Sequence, residues 1–271
     1  MITLASDFGT PYPAAMRGVI LRRTDARLVD VAHDFPRQDV RAAAFWLREL
    51  LPYFPPAVHL VVVDPGVGTD RNALVVRAGD HALVGPDNGV LLPAARALAA
   101  GAPLEAFLVD DGHDALPPER AGGARGEPSA TFHGRDVFAP AAADVHETGV
   151  ERLETLAYLS ATDGFVDLEL PEATVDGERA VGEVLVVDDF GNVITNVSGT
   201  YLEGRETVVV NGEAVPVGET FAAVDPGERL AIVGSHGNVE VDVNQGRGEV
   251  AFGLEAGDAV VLESGGDGRC E

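Results

Sequence analysis

The sequence predicts an N-terminal α/β domain with a mainly parallel sheet, followed by an all-β C-terminal domain. Two observations predict this fold class. Up to about residue 172, apolar β-branched runs alternate with segments whose apolar residues recur at helical spacing. From about residue 175, short β-rich runs follow one another between Gly, Asn and Asp residues. We therefore predict domains at residues 1–172 and 173–271, and a length of 271 residues suits two domains.

The first domain is predicted to alternate between helices and strands. Pro13 suits the first turn of a helix in PAAMRGVILRR, and Asp39 can cap a helix in DVRAAAFWLRELL. The apolar run AVHLVVV at 57–63 is typical of a strand buried on both faces. Further strands and helices are predicted in ALVVRA, HALVG, EAFLVD, VLLPAARALAA and GRDVFAPAAADVHETG. The Gly- and Pro-rich residues 117–128 are predicted to form a long loop.

The second domain is predicted to consist of strands without a convincing helix. Its β-rich runs are GEVLVVDDF, VITNV, TVVVNG, RLAIVG, NVEVDVN and DAVVLES. Strands at such close spacing suggest a small barrel or a sandwich. The acidic stretch LPEATVDGERA, which contains Pro and Gly, is interpreted as the linker between the two domains.

The composition excludes several classes of function. The net charge is −25, and the chain lacks the clustered cations that neutralise phosphates, which argues against nucleic acid as a partner. All 19 basic residues are Arg, which excludes Schiff-base lysines, a Walker-type lysine and lysine-anchored pyridoxal phosphate. Cys270 is the single Cys, so disulfide folds and thiolate metal sites are excluded.

The acidic composition and the N-terminal sequence also bear on where the protein works. A strongly acidic, lysine-free chain suits a salt-rich cytoplasm, because salt screens its self-repulsion, so we interpret the protein as halophilic. An acidic mesophilic protein is the alternative. No apolar run approaches about 18 residues, and residues 1–7 lack the features of a signal peptide. The default expectation is a cytoplasmic protein without a membrane partner.

Two polar segments follow predicted strands of the first domain. Asp7, in SDFG, lies where an open α/β sheet binds ligands, and its carboxylate could accept two hydrogen bonds from a ribose diol. The alternative is that Asp7 caps the following turn. In DPGVGTDR, Asp64 and Arg71 could meet across a tight turn as a charge-assisted pair. The alternative is a structural ion pair that closes the loop.

Two further segments carry groups suited to chemistry or to a purine. His133, in TFHGRD, opens a predicted helix, where backbone N–H groups can build a site. The alternative is a structural or surface His, and metal binding is disfavoured because no HxxxH or HxH partner is present. In DDFGNVITN, Phe190 offers a stacking face and Asn192 a donor–acceptor amide, as adenine requires. The alternative is a hairpin turn with Gly-Asn at its tip.

Six motifs together resemble those of the S-adenosylmethionine (SAM) hydroxide adenosyltransferases, or SAM hydrolases, which are relatives of the fluorinase and the chlorinase. In chain order they are SDFG, VDPGVGTDR, GPDNGVL, TFHGRDVFAP, DDFGNVITN and GSHGNVEVDVNQG. Each motif alone is weak, but all six occur in the same order over nearly the whole chain. The resemblance implies an α/β domain, a β-barrel and a homotrimer. It also implies active sites between one subunit's N-terminal domain and its neighbour's C-terminal domain.

The resemblance implies hydrolysis of SAM to adenosine and L-methionine, by attack of water or hydroxide at ribose C5′, with neither metal nor cofactor. The R sulfonium epimer is a candidate substrate, because some family members are associated with it. The implied catalytic triad is Asp64, Arg71 and His133. The implied substrate contacts are Asp7 for the ribose, Asn192 and Phe190 for adenine, Asp188, Ser235 and Glu240 for the methionine portion, and backbone groups of Val243 for the base.

The halogenases of the family differ at positions that decide the nucleophile. In them the segment that resembles TFHGRD has Tyr and a halide-binding Ser where this chain has His133 and Gly134, and a Trp aligns with Gln38. Water is therefore favoured over halide. The stretch Thr10–Ala14, with Tyr12 and Ala14, and His236 also depart from the halogenase pattern, so we expect the methionine end to be held differently or another sulfonium to be preferred.

Three other functions stay open at this point. A halide-using, chlorinase-like adenosyltransferase would form a 5′-halo-adenosine. A non-catalytic adenosine or SAM binding module would release no methionine. A metal-dependent hydrolase would lose its activity with a chelator.

Overall fold

A computed structural model describes residues 1–110, 129 and 131–265 of the chain. The chain divides into two compact units, Met1–Leu170 and Pro171–Glu271. The predicted loop at 117–128 and Cys270 lie outside the described residues. No helix in the described part of the chain is both long and apolar enough to cross a membrane.

The first unit contains a seven-stranded mixed sheet in the order β2-β1-β3-β5-β4-β6-β7. The strands are β1 Ile2–Ser6, β2 Leu28–Ala32, β3 Val58–Val62, β4 Ala73–Ala78, β5 His81–Pro86, β6 Glu105–Val109 and β7 Leu159–Thr162. The pairs β1/β2, β1/β3 and β3/β5 are parallel. The pairs β4/β5, β4/β6 and β6/β7 are antiparallel. The α/β class is confirmed, with the parallel strands in the half of the sheet that contains β1 and β3.

Helices cover both faces of this sheet. They are α1 Tyr12–Leu21, α2 Val40–Leu50, α3 Leu92–Ala99 and α4 Ala139–Thr148. The buried side chains of α1 and α4 pack with Val58, Leu60 and Val62, whereas those of α2 and α3 pack with Val61 and Val63. Alternate residues of one strand therefore enter two cores, which explains why AVHLVVV is apolar throughout.

The helix boundaries agree with the signals in the sequence. Pro13 lies in the first turn of α1, and Asp39 caps α2 by accepting a 2.9 Å hydrogen bond from Ala42 N. The helix predicted from Gly134 onward begins as a π-helical turn, Gly134–Phe138, and continues as α4. Such a turn widens the backbone where the HGRD motif enters the helix.

The second unit is an antiparallel, nearly closed β-barrel, as the resemblance implied. Its strands are β8 Thr174–Asp176, β9 Arg179–Val187, β10 Val193–Ser198, β11 Thr207–Val210, β12 Glu213–Pro216, β13 Arg229–Val233, β14 Asn238–Val243 and β15 Ala259–Ser264. They follow the order β12-β11-β15-β9-β10-β14-β13, and β8 pairs with β9. A bridge between Val217 and Ala231 joins the two ends of this path.

Several elements of the second unit differ from the prediction, among them β8, β12 and a short helix. The stretch interpreted as a linker contains β8, which forms a hairpin with β9 through Gly177 at a φ of +58°. A short helix, α5 Gly248–Phe252, follows β14, where no helix was predicted. It is only 5 residues long, so its apolar residues cannot show a helical period.

Candidate active site

Three side chains from distant segments of the first unit meet at one place. Asp64 follows β3 after one intervening residue, Arg71 precedes β4, and His133 precedes the π-helical turn. Arg71 Nε donates to Asp64 Oδ1 at 2.8 Å, and Arg71 Nη2 donates to Asp64 Oδ2. Arg71 Nη2 also lies 2.9 Å from His133 Nδ1. The side chains of Arg71 and Asp64 are only 10% and 4% exposed, so this ion pair is largely shielded from water.

The contact with Arg71 determines the tautomer of His133. A guanidinium carries only hydrogen-bond donors, so His133 Nδ1 must be the acceptor in the 2.9 Å contact. The imidazole therefore carries its proton on Nε2 while this contact is made. Such a neutral ring offers an N–H donor on the side away from Arg71.

Glycines at two positions allow the three segments to approach each other. A Cβ on Gly66 would lie 3.2 Å from Arg71 Cγ and 3.4 Å from Thr69 Oγ1, so a larger residue would crowd the turn. A Cβ on Gly134 would lie 3.1 Å from Val62 Cγ1, because the π-helical turn packs against the end of β3. These close contacts hold His133 beside the turn that carries Arg71.

Asp7 lies at the same edge of the sheet as Asp64. Ser6 and Val62 are partners in the parallel ladder between β1 and β3, and Asp7 follows β1 directly. Asp7 is buried, and its Oδ2 accepts a 2.7 Å hydrogen bond from Gln38 N rather than from the following turn. Its carboxylate thus has further acceptor capacity, as binding of a ribose diol would require.

A hydrogen-bonded chain supports the turn that contains Asp7, and the sequence analysis did not find it. Ser6 Oγ lies 2.7 Å from His33 Nδ1, and His33 Nε2 donates to Asp30 Oδ1 at 3.0 Å. Arg17 Nε also donates to Asp30 Oδ1, at 3.1 Å. Because Ser6 is completely buried, this chain positions the turn and offers no accessible nucleophile.

An aromatic cluster lies next to the predicted site residues and was also missed. The rings of Phe8, Tyr12 and Phe132 meet edge to face, with centroids 5.6 to 6.1 Å apart. Tyr12 is 57% exposed. These rings, together with Ser129, Thr131 and Arg135, line a cavity of about 390 Å³. Phe8 directly follows Asp7 in the SDFG motif, and Phe132 directly precedes His133 in the TFHG motif. These neighbouring positions could have indicated the cluster from the sequence.

In the second unit, Asp188, Phe190 and Asn192 form the turn between β9 and β10. Asp188 Oδ1 accepts hydrogen bonds of 2.9 Å from Phe190 N and from Asn192 N. Asp188 Oδ2 accepts one of 3.1 Å from Asn192 Nδ2. The segment is thus a hairpin turn, with its Asn amide oriented by Asp188 and Phe190 79% exposed. A turn with these groups is open to a ligand, although the turn alone does not require one.

The remaining predicted residues lie along β13 and β14. Ser235 is exposed in the turn before β14, and Glu240 is buried within β14, where His236 Nε2 lies 3.0 Å from Glu240 Oε1. Val243 ends β14 and lines a cavity of about 810 Å³. The turn at Asp188–Asn192 lies near the end of β14 that carries Val243, because Val193 pairs with Val241. Ser235 lies at the opposite end, with Glu240 between them.

A second buried acid, Asp242, lies on the same strand and was not predicted. It is 0% exposed, and its Oδ1 accepts a 3.2 Å hydrogen bond from Val193 N. Burial, followed by the negative charge of Glu240, raises the pKa of Asp242 to about 8. The alternation of Val and acidic residues in NVEVDVN was the available signal, but it also fits an ordinary strand with one solvated face.

No three His, Cys, Asp or Glu side chains within residues 1–110 and 131–265 are arranged to hold a metal ion. The expectation that the reaction uses no metal or cofactor stays a prediction.

The fold and the site define a class of protein with an α/β unit that carries a shielded Asp–Arg–His cluster and a β-barrel unit with acidic and amide groups along one strand. Residues 2–156 match the SAM hydroxide adenosyltransferase N-terminal domain, and residues 182–261 match the C-terminal domain of the same family. The chain belongs to the SAM hydroxide adenosyltransferase family.

Full-length relatives and solved structures agree with this assignment. The chain is 42% identical to the (R)-S-adenosyl-L-methionine hydrolase of Salinispora tropica, over 97% of this chain and 98% of the relative. It is 43% identical to the protein of the same name from Thermus thermophilus, over 95% of this chain and 97% of the relative. An uncharacterized conserved protein from Thermotoga maritima has a similar structure, with a TM-score of 0.80 and 31% identity over 97% and 99% of the two chains. A conserved hypothetical protein from Thermus thermophilus has a TM-score of 0.72 and 38% identity over 96% and 98%.

Proposed function

We propose that this protein hydrolyses S-adenosyl-L-methionine to adenosine and L-methionine, and that it prefers the R sulfonium epimer. The observation that carries the proposal is the contact of Asp64, Arg71 and His133 in one shielded cluster. The names of the full-length relatives, which are (R)-S-adenosyl-L-methionine hydrolases, support the choice of substrate and epimer.

The proposed reaction is an in-line displacement at ribose C5′. The oxygen of water or hydroxide forms a bond with C5′ while the C5′–S bond breaks, and the bonding electrons stay on the sulfur of neutral methionine. The proton of an attacking water finally passes to solvent. Opposite charges annihilate when hydroxide meets a sulfonium, so a pocket that excludes bulk water favours the step. Holding the nucleophile and C5′ at about 3–3.5 Å contributes up to roughly 7–11 kcal/mol.

The three side chains take distinct roles in this proposal. Both oxygens of Asp64 accept hydrogen bonds from Arg71, and each oxygen retains a lone pair that can accept from a water molecule. His133 Nε2–H can donate to the same oxygen, because Nδ1 is the acceptor for Arg71. The cluster thus orients water between an acceptor and a donor, and it either removes the proton or holds hydroxide that is already formed.

The substrate contacts are part of the same proposal. In the first unit, Asp7 holds the ribose diol. In the second unit, Asn192 and Phe190 contact adenine, Val243 offers backbone groups to the base, and Glu240 contacts the methionine portion. The remaining two contacts with the methionine portion are assigned to Asp188 and Ser235. The rings of Phe8 and Tyr12 offer aromatic surface to the sulfonium, because a cation is stabilised at an aromatic face. The ring of Phe132 already faces the guanidinium of Arg135, 5.1 Å from its centroid.

The decisive experiment supplies the two resolved SAM epimers separately and quantifies adenosine and methionine by chromatography. We expect equal amounts of both products, formed faster from the R epimer. Formation of a 5′-halo-adenosine with added chloride or fluoride would instead identify a halogenase. Tight binding of SAM without methionine release would identify a binding module, and loss of activity with a chelator would indicate a metal-dependent hydrolase.

The assembly and the cellular setting are part of the proposal as well. The family resemblance implies a homotrimer, which is tested by measuring the mass of the protein in solution by analytical ultracentrifugation. A halophilic setting is proposed from the net charge of −25 and the absence of Lys, and the cytoplasm stays the default proposal for its location. Retention of activity and of the folded state in molar salt, with loss at low salt, would support the halophilic interpretation.

A further inference from the structure

Strand β14 carries a row of polar side chains on the face that points away from the barrel core. Val239 and Val241 belong to the core, so the residues that alternate with them face the other way. These residues are Asn238, Glu240 and Asp242 in β14 and Asn244 directly after it, and we call them the polar row. All but Asn238 are buried, although this face does not belong to the apolar core of the barrel.

Three members of the polar row have hydrogen-bonding or ion-pair partners. Asn238 Nδ2 donates to Thr195 O. Asn244 Nδ2 donates to Val224 O at 2.7 Å. Glu240 Oε1 lies 3.0 Å from His236 Nε2. These contacts replace the water that each polar group loses on burial.

Asp242 differs from the other members. Its Oδ1 accepts from Val193 N at 3.2 Å, and no donor within the described residues reaches its Oδ2. A hydrogen bond with the side chain of Glu240, which requires a proton on one of the two acids, is among the causes that raise the pKa of Asp242. An ionised carboxylate that is fully buried, with one weak donor and one unsatisfied oxygen, would be strongly destabilising. Glu240 lies on the same face two residues away, which is about 7 Å along a strand. Asp242 is therefore expected to keep its proton, and its raised pKa agrees with this.

The charged groups on neighbouring elements do not compensate Asp242. On β13, Arg229 is paired with Glu213. On and before α5, Arg247 is paired with Glu249. The facing segment of β10, from Val193 to Thr195, carries no ionisable side chain, and the β9–β10 turn contributes the acid Asp188. Around the polar row, acids outnumber the bases that face them, so the site favours an additional cation.

We infer that Asp242 is a positioning residue for Glu240. Asp242 stays protonated in the free protein and releases its proton when a cationic group of the substrate binds at Glu240. The inference rests on the proposed function, in which Glu240 contacts the methionine portion and thus meets its α-ammonium group. On binding, the O–H bond of Asp242 breaks, the electron pair stays on the carboxylate, and the proton passes to solvent. The second negative charge then strengthens the attraction for the ammonium group.

The presence of a buried acid at this position is not required for stability. Even a buried ion pair can often be replaced by apolar residues of similar volume without loss of stability. Asp242 instead combines full burial with an unsatisfied oxygen beside a second acid. Such perturbed acids concentrate at functional sites.

The test measures protons released on ligand binding, by calorimetry at pH 7 in two buffers of different ionisation enthalpy. The probes are S-adenosyl-L-homocysteine, which has the α-ammonium group, and 5′-methylthioadenosine, which lacks the amino acid. Wild-type protein is expected to release about one-half to one proton with the first probe and none with the second. The variant Asp242→Asn, which is isosteric and always neutral, is expected to release none with either probe.

A kinetic measurement separates positioning from a purely structural role. Between pH 6 and 7.5, the KM of the wild type for SAM is expected to fall with rising pH, by up to about tenfold per pH unit, while kcat changes less. Asp242→Asn is expected to remove this dependence of KM. If that variant does not fold, Glu240→Gln serves instead, because it removes the carboxylate that meets the ammonium group and should reduce the proton release.

Several results would overturn the inference. The first is that the wild type releases no proton when it binds S-adenosyl-L-homocysteine. The second is that it releases as many protons with 5′-methylthioadenosine as with S-adenosyl-L-homocysteine. The third is that Asp242→Asn or Glu240→Gln releases as many protons as the wild type. Hydrolysis of SAM is followed in parallel with the wild type. If adenosine forms without proton release on binding, only this inference is wrong, whereas failure to form adenosine contradicts the proposed function itself.

Discussion

Asp64 in the first unit and Asp242 in the second are both buried carboxyl groups, but their surroundings differ. Asp64 accepts two hydrogen bonds from the guanidinium of Arg71. Asp242 accepts one from a backbone N–H and faces a second acid, Glu240. The first acid has a cation fixed against it, whereas the second has none and avoids the cost of a buried charge by keeping its proton. The difference shows that burial alone does not decide what a carboxyl group can do.

The largest expected effect is a loss of turnover when the carboxylate of Asp64 is replaced. Asp64→Asn keeps the shape of the side chain but removes its charge, so kcat for SAM hydrolysis should fall by about 10²–10⁴-fold. Adenosine binding, measured by calorimetry, should stay largely intact. Asp70→Asn is the matched control, because Asp70 is exposed in the same turn. Full activity of Asp64→Asn would refute the role of Asp64.

The same substitution in the two units should change stability with opposite signs. Asp64→Asn leaves the shielded guanidinium of Arg71 without its anion and should lower the free energy of unfolding by about 3 kcal/mol. Asp242 has a raised pKa, so its favourable contribution is complete below the unfolded pKa of 3.8 and is lost as the pH rises through about 8. Asp242→Asn should therefore raise the free energy of unfolding at pH 8, by roughly 1–3 kcal/mol.

Urea unfolding of both variants at pH 8 measures this contrast. If Asp242→Asn destabilised the protein as Asp64→Asn does, Asp242 would be ionised and compensated in the native state. The comparison between the two acids would then be wrong.

A smaller loss of turnover is expected when the cation of the first unit is changed but its charge is kept. Arg71 contacts Asp64 through two nitrogens and His133 through one of them, and an ammonium group cannot reproduce this planar arrangement. Arg71→Lys should lower kcat by about tenfold to a hundredfold. Arg77→Lys provides the control, since Arg77 pairs with Glu105 and Glu154. Equal kcat values for the two variants would show that charge alone matters at Arg71.

The sequence predicted the parts of this molecule that depend on local pattern. Strands buried on both faces, such as β3, and the cap at Asp39 are encoded within a few residues. The edge strands β2 and β7 were not predicted, because a half-buried edge lacks a continuous apolar run. The eight-stranded order of the second unit depends on pairings between distant strands, and only the family resemblance favoured a barrel over a sandwich.

The site could be predicted unevenly for the same reason. The pair of Asp64 and Arg71 spans one turn, so its spacing indicated a contact, which the structure confirms. His133 is 62 residues from Arg71, and only the family resemblance connected them. Asp242 differs from a solvated strand residue only through burial, which sequence alone does not show. Sequence therefore indicates which groups are present, whereas the protonation state of a group depends on its packing.

The smallest expected effect concerns a buried base of the first unit, His59, whose pH dependence opposes that of Asp242. His59 is fully buried between Thr3 Oγ1 at 2.8 Å and His81 Nδ1 at 2.9 Å. Burial, followed by the charge of His81, lowers the pKa of His59 from 6.5 to about 3. Its contribution to stability is complete above pH 6.5 and is lost as the pH falls below that value.

Between pH 7.5 and 5.5, this single group should lower the free energy of unfolding of the wild type by roughly 1 kcal/mol. His59→Gln has no titrating ring, so urea unfolding should show a less stable protein at pH 7.5 with a shallower decline toward pH 5.5. His81 and His146 also have lowered pKa values and shift the wild type in the same direction. Because His81 contacts His59, the difference between the two proteins reports His59 together with its effect on His81. If the free energy of unfolding changed equally with pH in the two proteins, His59 would accept a proton without cost. Burial in the first unit would then not disfavour a charged base as burial in the second unit disfavours the charged form of Asp242.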